Sequence, residues 1–493
     1  PAKCSAVISC IVDMIAFFSS FLEGAGEFPS LRPLSTPRRK PYGHGDLKLI
    51  TQDLRHHTLK MMLLLAQVAT SMVAITAATK IDRPYCNTAM NTGVIPALPP
   101  NATLLQVHVL HRHGSRTKDA ASPTGIWMGE SNVQYNCTSQ RLEGPDATVS
   151  PGGAVLFNKV YLPGRNDLHG NCMTGQLVSK GLEMCKASGR NLAKAYKDFL
   201  PPTPGDGSNF YLRSDDVPRT LASGQALFAA MYPDTGKSAT VPWHTMDINS
   251  DAETMVPNPN VCPALVGARS RALTRFQASK HYQRVSIPLA TELSTAINRT
   301  ILPSGIAGLL DPLMSVQCST VPSTGGDVPT AFTSNLQDSM IEEAAYKLYS
   351  SCNDTDVAKF GAGPLLGEIL VQMEHARAKS TAAPKLAIWS GHDTGPMSPV
   401  IGALRVGGGE FPRFNELLAI ELYDTSNSAM VRVVHNGNVV TELVPGCSDS
   451  ENGLCPWVSF HETVMKIVPT PSECGRADDP VWWPRPTQQN SKR

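Results

Sequence analysis

Short apolar runs that end in charged loops alternate along this chain with stretches of helical periodicity. The run Thr103–Leu110 (TLLQVHVL) is rich in valine and leucine and stops at a charged loop, which predicts a buried strand. Phe210–Leu212 and Leu386–Trp389 are predicted strands of the same kind. The later segments LLAIELYD and AMVRVVHNGNVVTELV predict antiparallel strands with a hairpin turn at NGN.

Helical periodicity dominates the segments between these strands. Apolar residues recur at helical spacing from Gln176 to Leu200, where prolines end the pattern. Leu365–Met373 follow the same period, as in an amphipathic helix. Strands that alternate with helices predict an α/β fold, with a mixed and mostly parallel sheet flanked by helices. The long helical middle of the chain predicts an inserted cap.

The chain divides into six predicted segments. In order they are an extension at 1–60, a signal peptide at 61–78, the first part of an α/β domain at 79–215, a mainly helical cap at 216–383, the second part of the α/β domain at 384–475 and a tail at 476–493. Lys60, an apolar stretch and the small residues Thr76 and Ala78 together have the pattern of a signal peptide. Residues 1–60 are therefore expected to lie outside the natural protein.

Cysteines and sequons indicate the compartment. Of the 12 cysteines, all but Cys4 and Cys10 follow the predicted signal peptide, and an even number in an exported chain indicates disulfides of undetermined pairing. Four Asn-x-Ser/Thr sequons favour glycosylation, beginning at Asn101, Asn136, Asn298 and Asn353. We therefore expect a soluble protein of the secretory pathway, with a secreted, lysosomal or vacuolar destination.

The overall charge is close to neutral, with 43 Lys+Arg against 42 Asp+Glu. Nucleic-acid-binding proteins normally carry a basic face, so this balance argues against nucleic acid as a partner. The basic run from Arg269 to Arg284 fits a solvated helix face, with a role at a substrate pocket as the weaker alternative.

Polar residues that suit one chemistry follow three of the predicted strands. They are Arg112, His113, Arg116, Arg213, His392 and Asp393. Ligands of α/β sheets bind beyond the carboxyl ends of the strands, so these side chains are expected in one crevice. Guanidinium forks match phosphate oxygens. A neutral imidazole beside a bound phosphate can attack phosphorus, and a carboxyl group can protonate the leaving alcohol. This chemistry requires no metal and no cofactor.

The motifs RHGSR, YLRSDDVPRT and SGHDT, in this order, resemble those of the histidine acid phosphatases, the larger branch of the histidine phosphatase superfamily. MTGQLVSKG also resembles a segment of that family, and the likeness runs from about residue 103 to 445. The resemblance implies an acid phosphatase that hydrolyses phosphate monoesters through a covalent phosphohistidine, without a metal. A phytase or inositol-polyphosphate phosphatase of the same mechanism is the alternative.

Residue roles follow from matching positions in those motifs. The resemblance implies that His113 is the nucleophile and Asp393 the proton donor. It also implies a phosphate pocket formed by Arg112, Arg116, Arg213 and His392. Arg219 is ambiguous, because an ion pair with Asp216 explains it equally well. Lys118 stands where the family has proline, which puts an extra cation near the expected mouth and bears on substrate preference.

Two further classes of function stay open on the residues alone. The HRH motif would also suit a metal-dependent amidohydrolase, but such a barrel needs eight regular βα units, which this chain lacks. A secreted glycoprotein that keeps the fold only for binding is the other class, although such a protein would tend to lose some of the charged residues. A homodimer is one oligomeric state that the sequence leaves open.

Overall fold

The computed structural model describes most of the chain beyond residue 93. The described residues are 86, 94–119, 134–137, 141–142, 157–158, 168–233, 241–247, 250, 252–319, 329–380, 383–407, 409–426, 428–448, 450 and 452–476. All of them belong to one compact unit, Asp82–Arg493. The predicted extension at 1–60, the predicted signal peptide at 61–78 and nearly all of the predicted tail lie outside these ranges.

One mixed sheet of eight strands is the centre of the fold. In chain order its strands are β1 (Ala102–Arg112), β2 (Phe210–Asp215), β3 (Trp243–Met246), β4 (Leu386–Gly391), β5 (Leu417–Thr425), β6 (Ala429–His435), β7 (Asn438–Val439) and β8 (Cys455–Pro456). Their spatial order is β7-β6-β5-β1-β4-β2-β3, with β8 also pairing with β6. Strands β1, β4, β2 and β3 are parallel neighbours, while β5 to β8 pair antiparallel.

Ten α-helices are present in the described part of the chain. They are α1 (Ser179–Ala195), α2 (Pro218–Met231), α3 (Ala264–Ala278), α4 (Ile287–Ile297), α5 (Leu310–Ser319), α6 (Ser334–Cys352), α7 (Thr355–Gly361), α8 (Gly363–Arg377), α9 (Met397–Leu404) and α10 (Trp457–Ile467). A π-helical turn (Tyr282–Ser286) precedes α4, and a 3-10 segment (Pro303–Leu309) precedes α5. The predicted α/β fold with flanking helices is confirmed.

The sheet separates two apolar cores, because successive side chains of a strand face opposite sides. In β1, Val107 and Val109 join the core formed with Leu192 of α1 and Leu227 of α2. Leu110 faces the other core, which includes apolar residues of α8, α9 and α10. Helices therefore cover both faces, and the carboxyl ends of β1, β2 and β4 meet at one edge of the sheet.

The predicted cap span, residues 216–383, includes elements that pack on the sheet. Helix α2 packs on β2 and β4, and β3 pairs in parallel with β2. Helix α8 contributes Leu366 and Ile369 to the core beneath the sheet. Tyr349 and Cys352 of α6 and Ala358 of α7 join the same core. The boundary of the cap therefore stays a prediction, and we use the name cap for the 3-10 segment and helices α3 to α7. The sequence pattern did not separate β3 from the cap, because β3 is a four-residue edge strand without apolar alternation.

Four disulfides join described cysteines. The pairs are Cys86–Cys318, Cys137–Cys172, Cys262–Cys474 and Cys447–Cys455. Cys185 and Cys352 are free and buried. The predicted disulfides are thus present, and the pairing that the sequence left open is resolved for these residues. None of the described helices is both long and apolar enough to cross a membrane.

Candidate active site

His113 follows the last residue of β1 and is fixed by its backbone and its ring. Its amide donates to the carbonyl of Gly391, at the end of β4 (2.9 Å). Its Nδ1 lies 2.8 Å from the carbonyl oxygen of Gly114. A carbonyl can only accept, so Nδ1 carries the proton and Nε2 keeps its lone pair. The ring is therefore oriented as a nucleophile requires.

The pKa of His113 lies well below its ordinary value. Burial is the largest cause, and the positive charges of Arg219, Arg116 and Arg112 add to it, followed by His392. The imidazole thus stays neutral in mildly acid solution. Only the neutral form can act as a nucleophile.

Gly114 must be a glycine for the site to form. An added Cβ would lie 2.3 Å from the carbonyl oxygen of Gly181 in α1. The loop after β1 therefore rests directly on the backbone of that helix. The amide of Gly114 also donates to Ser223 Oγ of α2 (3.1 Å), which holds the loop after β1 against α2.

Arg112 is buried beside Asp393, the proton donor implied by the resemblance. Its Nη2 lies 3.0 Å from Asp393 Oδ2, and its Nη1 donates to the carbonyl of Pro412. The guanidinium carbon also lies 4.5 Å from the centre of the Phe414 ring. These contacts fix both the arginine and the carboxylate beside His113.

The pKa of Asp393 is lowered from its ordinary value. Burial acts in the opposite direction, but the positive charges of Arg112, Arg116 and His392 outweigh it. A phosphate dianion bound to the same arginines would cancel that positive charge. The pKa of the carboxyl group would then rise, which suits the proton donor that the resemblance implies.

His392 lies next to His113, with ring centres 5.4 Å apart and planes at 74°. Its Nε2 is 2.7 Å from Oδ2 of the buried Asp215, although the angle is not that of a hydrogen bond. Asp215 in turn accepts a hydrogen bond from Thr220 Oγ1 (2.5 Å). Asp215 was not predicted as a site residue. Its position as the last residue of β2 is the signal that could have identified it.

Arg116 and Arg219 complete the positive cluster. Arg116 Nη2 lies 2.7 Å from Asp311 Oδ1, and Arg219 Nη2 lies 3.2 Å from Asp119 Oδ2. Both arginines act on the pKa of His113, and Arg219 has the largest electrostatic effect. Arg219 belongs to the first turn of α2, and its partner is Asp119 rather than the expected Asp216.

Arg213 is not brought into this cluster. Its Nη1 donates to Glu368 (2.5 Å), and its Nη2 donates to Glu253 (2.9 Å) and to Thr254 Oγ1 (3.1 Å). Two buried or nearly buried carboxylates therefore neutralise it, and its contacts give no support to the predicted role in phosphate binding. Arg213 was selected because it lies near the end of β2, whereas the arginine beside His113 is Arg219, six positions later in the first turn of α2.

Lys118 also differs from its expected place. It is 8% exposed, and its backbone carbonyl accepts a hydrogen bond from Gly175. It is not among the residues that line the cavity described next. The extra cation expected at the mouth is therefore buried in the loop after β1.

A cavity of about 520 Å³ adjoins the cluster. Its lining comes from the end of β1 and the loop after it, from the cap, and from the loops after β4. The lining residues are Arg112, Arg116, Asp119, Ala307, Gly308, Leu310, Asp311, Met314, Ala344, Lys347, Leu348, Ser351, Asp393, Thr394 and Phe411. Of the six predicted site residues, five thus lie together beside this cavity or directly behind it. The cap residue Asp311 had no signal in the sequence, because its partner Arg116 is almost 200 positions away.

Comparisons with known proteins identify the family of the chain. A model of the histidine phosphatase superfamily (branch 2) matches residues 103–458. Counting factor 60 of Dictyostelium discoideum is 27% identical over 381 residues, which are 74% of this chain and 86% of that protein. Prostatic acid phosphatase of Homo sapiens is 29% identical over 312 residues, which are 60% of this chain and 77% of that protein.

A solved structure shares the fold. The phytase of Klebsiella sp ASR1 matches with a TM-score of 0.52 at 16% identity, over 74% of this chain and 95% of its own. The predicted histidine acid phosphatase, a phosphomonoesterase, is confirmed by the family match and by the named relatives. Since that match covers well over half of the sequence, the protein belongs to branch 2 of the histidine phosphatase superfamily.

Proposed function

We propose that the protein hydrolyses phosphate monoesters with His113 as the nucleophile. The observation that carries this proposal is the environment of one ring. His113 is buried and neutral, its Nδ1 is committed to the Gly114 carbonyl, and positive charge surrounds it. Such a ring can attack phosphorus through Nε2 alone.

In the first step, Nε2 of His113 forms a bond to phosphorus and the bond between phosphorus and the ester oxygen breaks. Asp393 gives its proton to the leaving alkoxide. Arg112, Arg116 and Arg219 neutralise the oxygens of the transferring phosphoryl group, and His392 donates to one of them. Arg219 thus takes the role first assigned to Arg213.

In the second step, a water molecule attacks the phosphohistidine. The carboxylate of Asp393 accepts a proton from that water, the bond between nitrogen and phosphorus breaks, and inorganic phosphate is released. Asp393 regains its proton and His113 is neutral again. Every proton in the cycle is carried by the chain's own residues, so we expect activity to persist in the presence of a chelator.

Kinetics with two leaving groups test these roles. His113→Ala should abolish turnover of both p-nitrophenyl phosphate and butyl phosphate. Asp393→Asn should lower kcat/KM for butyl phosphate by about 10²–10⁴-fold, because an alkoxide needs a proton. It should affect p-nitrophenyl phosphate much less, since nitrophenolate leaves without one. An equal loss on both substrates would contradict the assignment of Asp393, and retained turnover in His113→Ala would overturn the mechanism.

We also propose passage through the secretory pathway. The four disulfides support it, because such bonds persist in oxidising compartments. The asparagines of all four sequons, Asn101, Asn136, Asn298 and Asn353, are exposed and therefore accessible to glycosylation. The homodimer remains a prediction.

A further inference from the structure

The part of the cavity lining that the cap contributes is largely apolar. The 3-10 segment and α5 supply Ala307, Leu310 and Met314, and α6 supplies Ala344 and Leu348. Phe411 also lines the cavity, and the centre of its ring lies 5.8 Å from the guanidinium carbon of Arg112. A group attached to a phosphate held by Arg112 would therefore extend between these apolar side chains.

The charges of this outer region do not suit a second phosphate. Beyond the cluster around His113, the charged lining residues are two carboxylates, Asp119 and Asp311, and one amine, Lys347. Lys347 Nζ already donates to the carbonyl of Ser304 (2.8 Å), and burial lowers its pKa. Asp119 and Asp311 are each paired with an arginine of the cluster, so beyond those arginines the outer cavity offers a second phosphate only one amine.

Asp311 has a fixed position next to Arg116. It lies in the first turn of α5, and its Oδ1 is 2.7 Å from Arg116 Nη2. Its Oδ2 accepts from the amide of Asp119 (2.8 Å), so both oxygens are held at the mouth of the phosphate pocket. A second anionic group on a substrate would approach this fixed carboxylate and be repelled by it.

We propose that the cap selects phosphate monoesters of apolar, uncharged alcohols, with Asp311 as the residue that discriminates against esters bearing a second phosphate. This inference rests on the proposed phosphatase function. It concerns only the preference between substrates, which depends on the outer cavity and not on the nucleophile.

Two matched sets of esters test the preference. In the wild-type enzyme, kcat/KM should rise from ethyl to butyl to hexyl phosphate by about threefold per methylene, as expected for burial in an apolar wall. Butyl phosphate should exceed butane-1,4-diol bisphosphate by at least about tenfold, because of the repulsion from Asp311. A flat chain-length series, or a bisphosphate that reacts as well as butyl phosphate, would overturn the proposal.

Asp311→Asn should reduce the preference for butyl phosphate over the bisphosphate by about fivefold or more. If Asp311 only orients Arg116, the substitution should change kcat/KM for both substrates equally. An unchanged ratio would therefore refute a part of Asp311 in selection. Glu342→Gln is the matched control, since it removes an exposed carboxylate of α6 outside the cavity lining and should keep the ratio. All readouts are ratios between esters that one enzyme turns over, so a failure of the phosphatase function itself would appear separately, as absent turnover of every ester.

Discussion

Two arginines six positions apart, Arg213 and Arg219, have opposite surroundings in this protein. The guanidinium of Arg213 lies in a buried network with Glu253 and Glu368. Those carboxylates raise the pKa of Arg213, although burial acts to lower it. Arg219 acts on His113, the proposed nucleophile, and burial and the neighbouring Arg116 lower the pKa of Arg219. The sequence alone could not distinguish them, because both lie in one motif and their partners are distant in the chain.

Replacement by glutamine should therefore have different effects at the two positions. Arg219→Gln should lower kcat/KM for p-nitrophenyl phosphate by about 10²–10³-fold with little change in Tm, since it removes a donor to the transferring phosphoryl group. Arg213→Gln should lower the free energy of unfolding by about 3–5 kcal/mol, because it leaves two carboxylates without their partner. The folded fraction of that variant should keep near-normal kcat/KM. Exchanged phenotypes would show that the assignment is reversed.

Strand β1 is the element that the sequence predicted best, and it also contains two histidines that the predicted mechanism did not use. His108 accepts from Trp389 Nε1 and contacts Gln106, while His111 Nε2 lies 2.7 Å from Asn415 Oδ1. Burial lowers the pKa of His108 to about 3 and that of His111 to about 4. Both are therefore neutral structural residues of the strand.

These histidines should make the fold sensitive to acid. In the unfolded chain His111 binds a proton near its ordinary pKa of 6.5, but in the folded protein it does so only near 4. The contribution of neutral His111 to the free energy of unfolding is therefore fully present above its unfolded-state pKa of 6.5. It is lost as the pH falls from 6.5 towards 4. Between pH 7 and pH 5, the free energy of unfolding should fall by about 2 kcal/mol less in His111→Gln than in wild type, as measured by urea unfolding at each pH. An identical pH dependence in wild type and variant would contradict this account.

The sequence pattern gave no sign of β3 and did not place α8 against the sheet, for two different physical reasons. β3 is short and lies at the sheet edge, so it shows no alternation of buried and exposed residues. Helix α8 was recognised as amphipathic but was assigned to the cap, because periodicity gives the buried face of a helix and not its neighbour. Strands β1, β2 and β4 were found since each is a short apolar run followed at once by a charged loop.

At the scale of the whole molecule, long-range connections assemble the site. His113, Asp215 and His392 follow or end three adjacent parallel strands and so meet at one edge of the sheet. This part was predictable, because the rule for the carboxyl ends of strands depends only on fold class. The Cys86–Cys318 disulfide and the contact of Asp311 with Arg116 depend on how distant segments pack together, which no local pattern encodes.

The most direct test of the central claim is to trap the phosphorylated enzyme. Asp393→Asn should react with p-nitrophenyl phosphate labelled on phosphorus but lack the base for the second step. Rapid quenching should then give about one phosphate per chain, labile to acid and stable to alkali, on the peptide that contains His113. Wild-type enzyme should show a smaller amount on the same peptide. Turnover without any covalent phosphate, or label on a different residue, would contradict the mechanism.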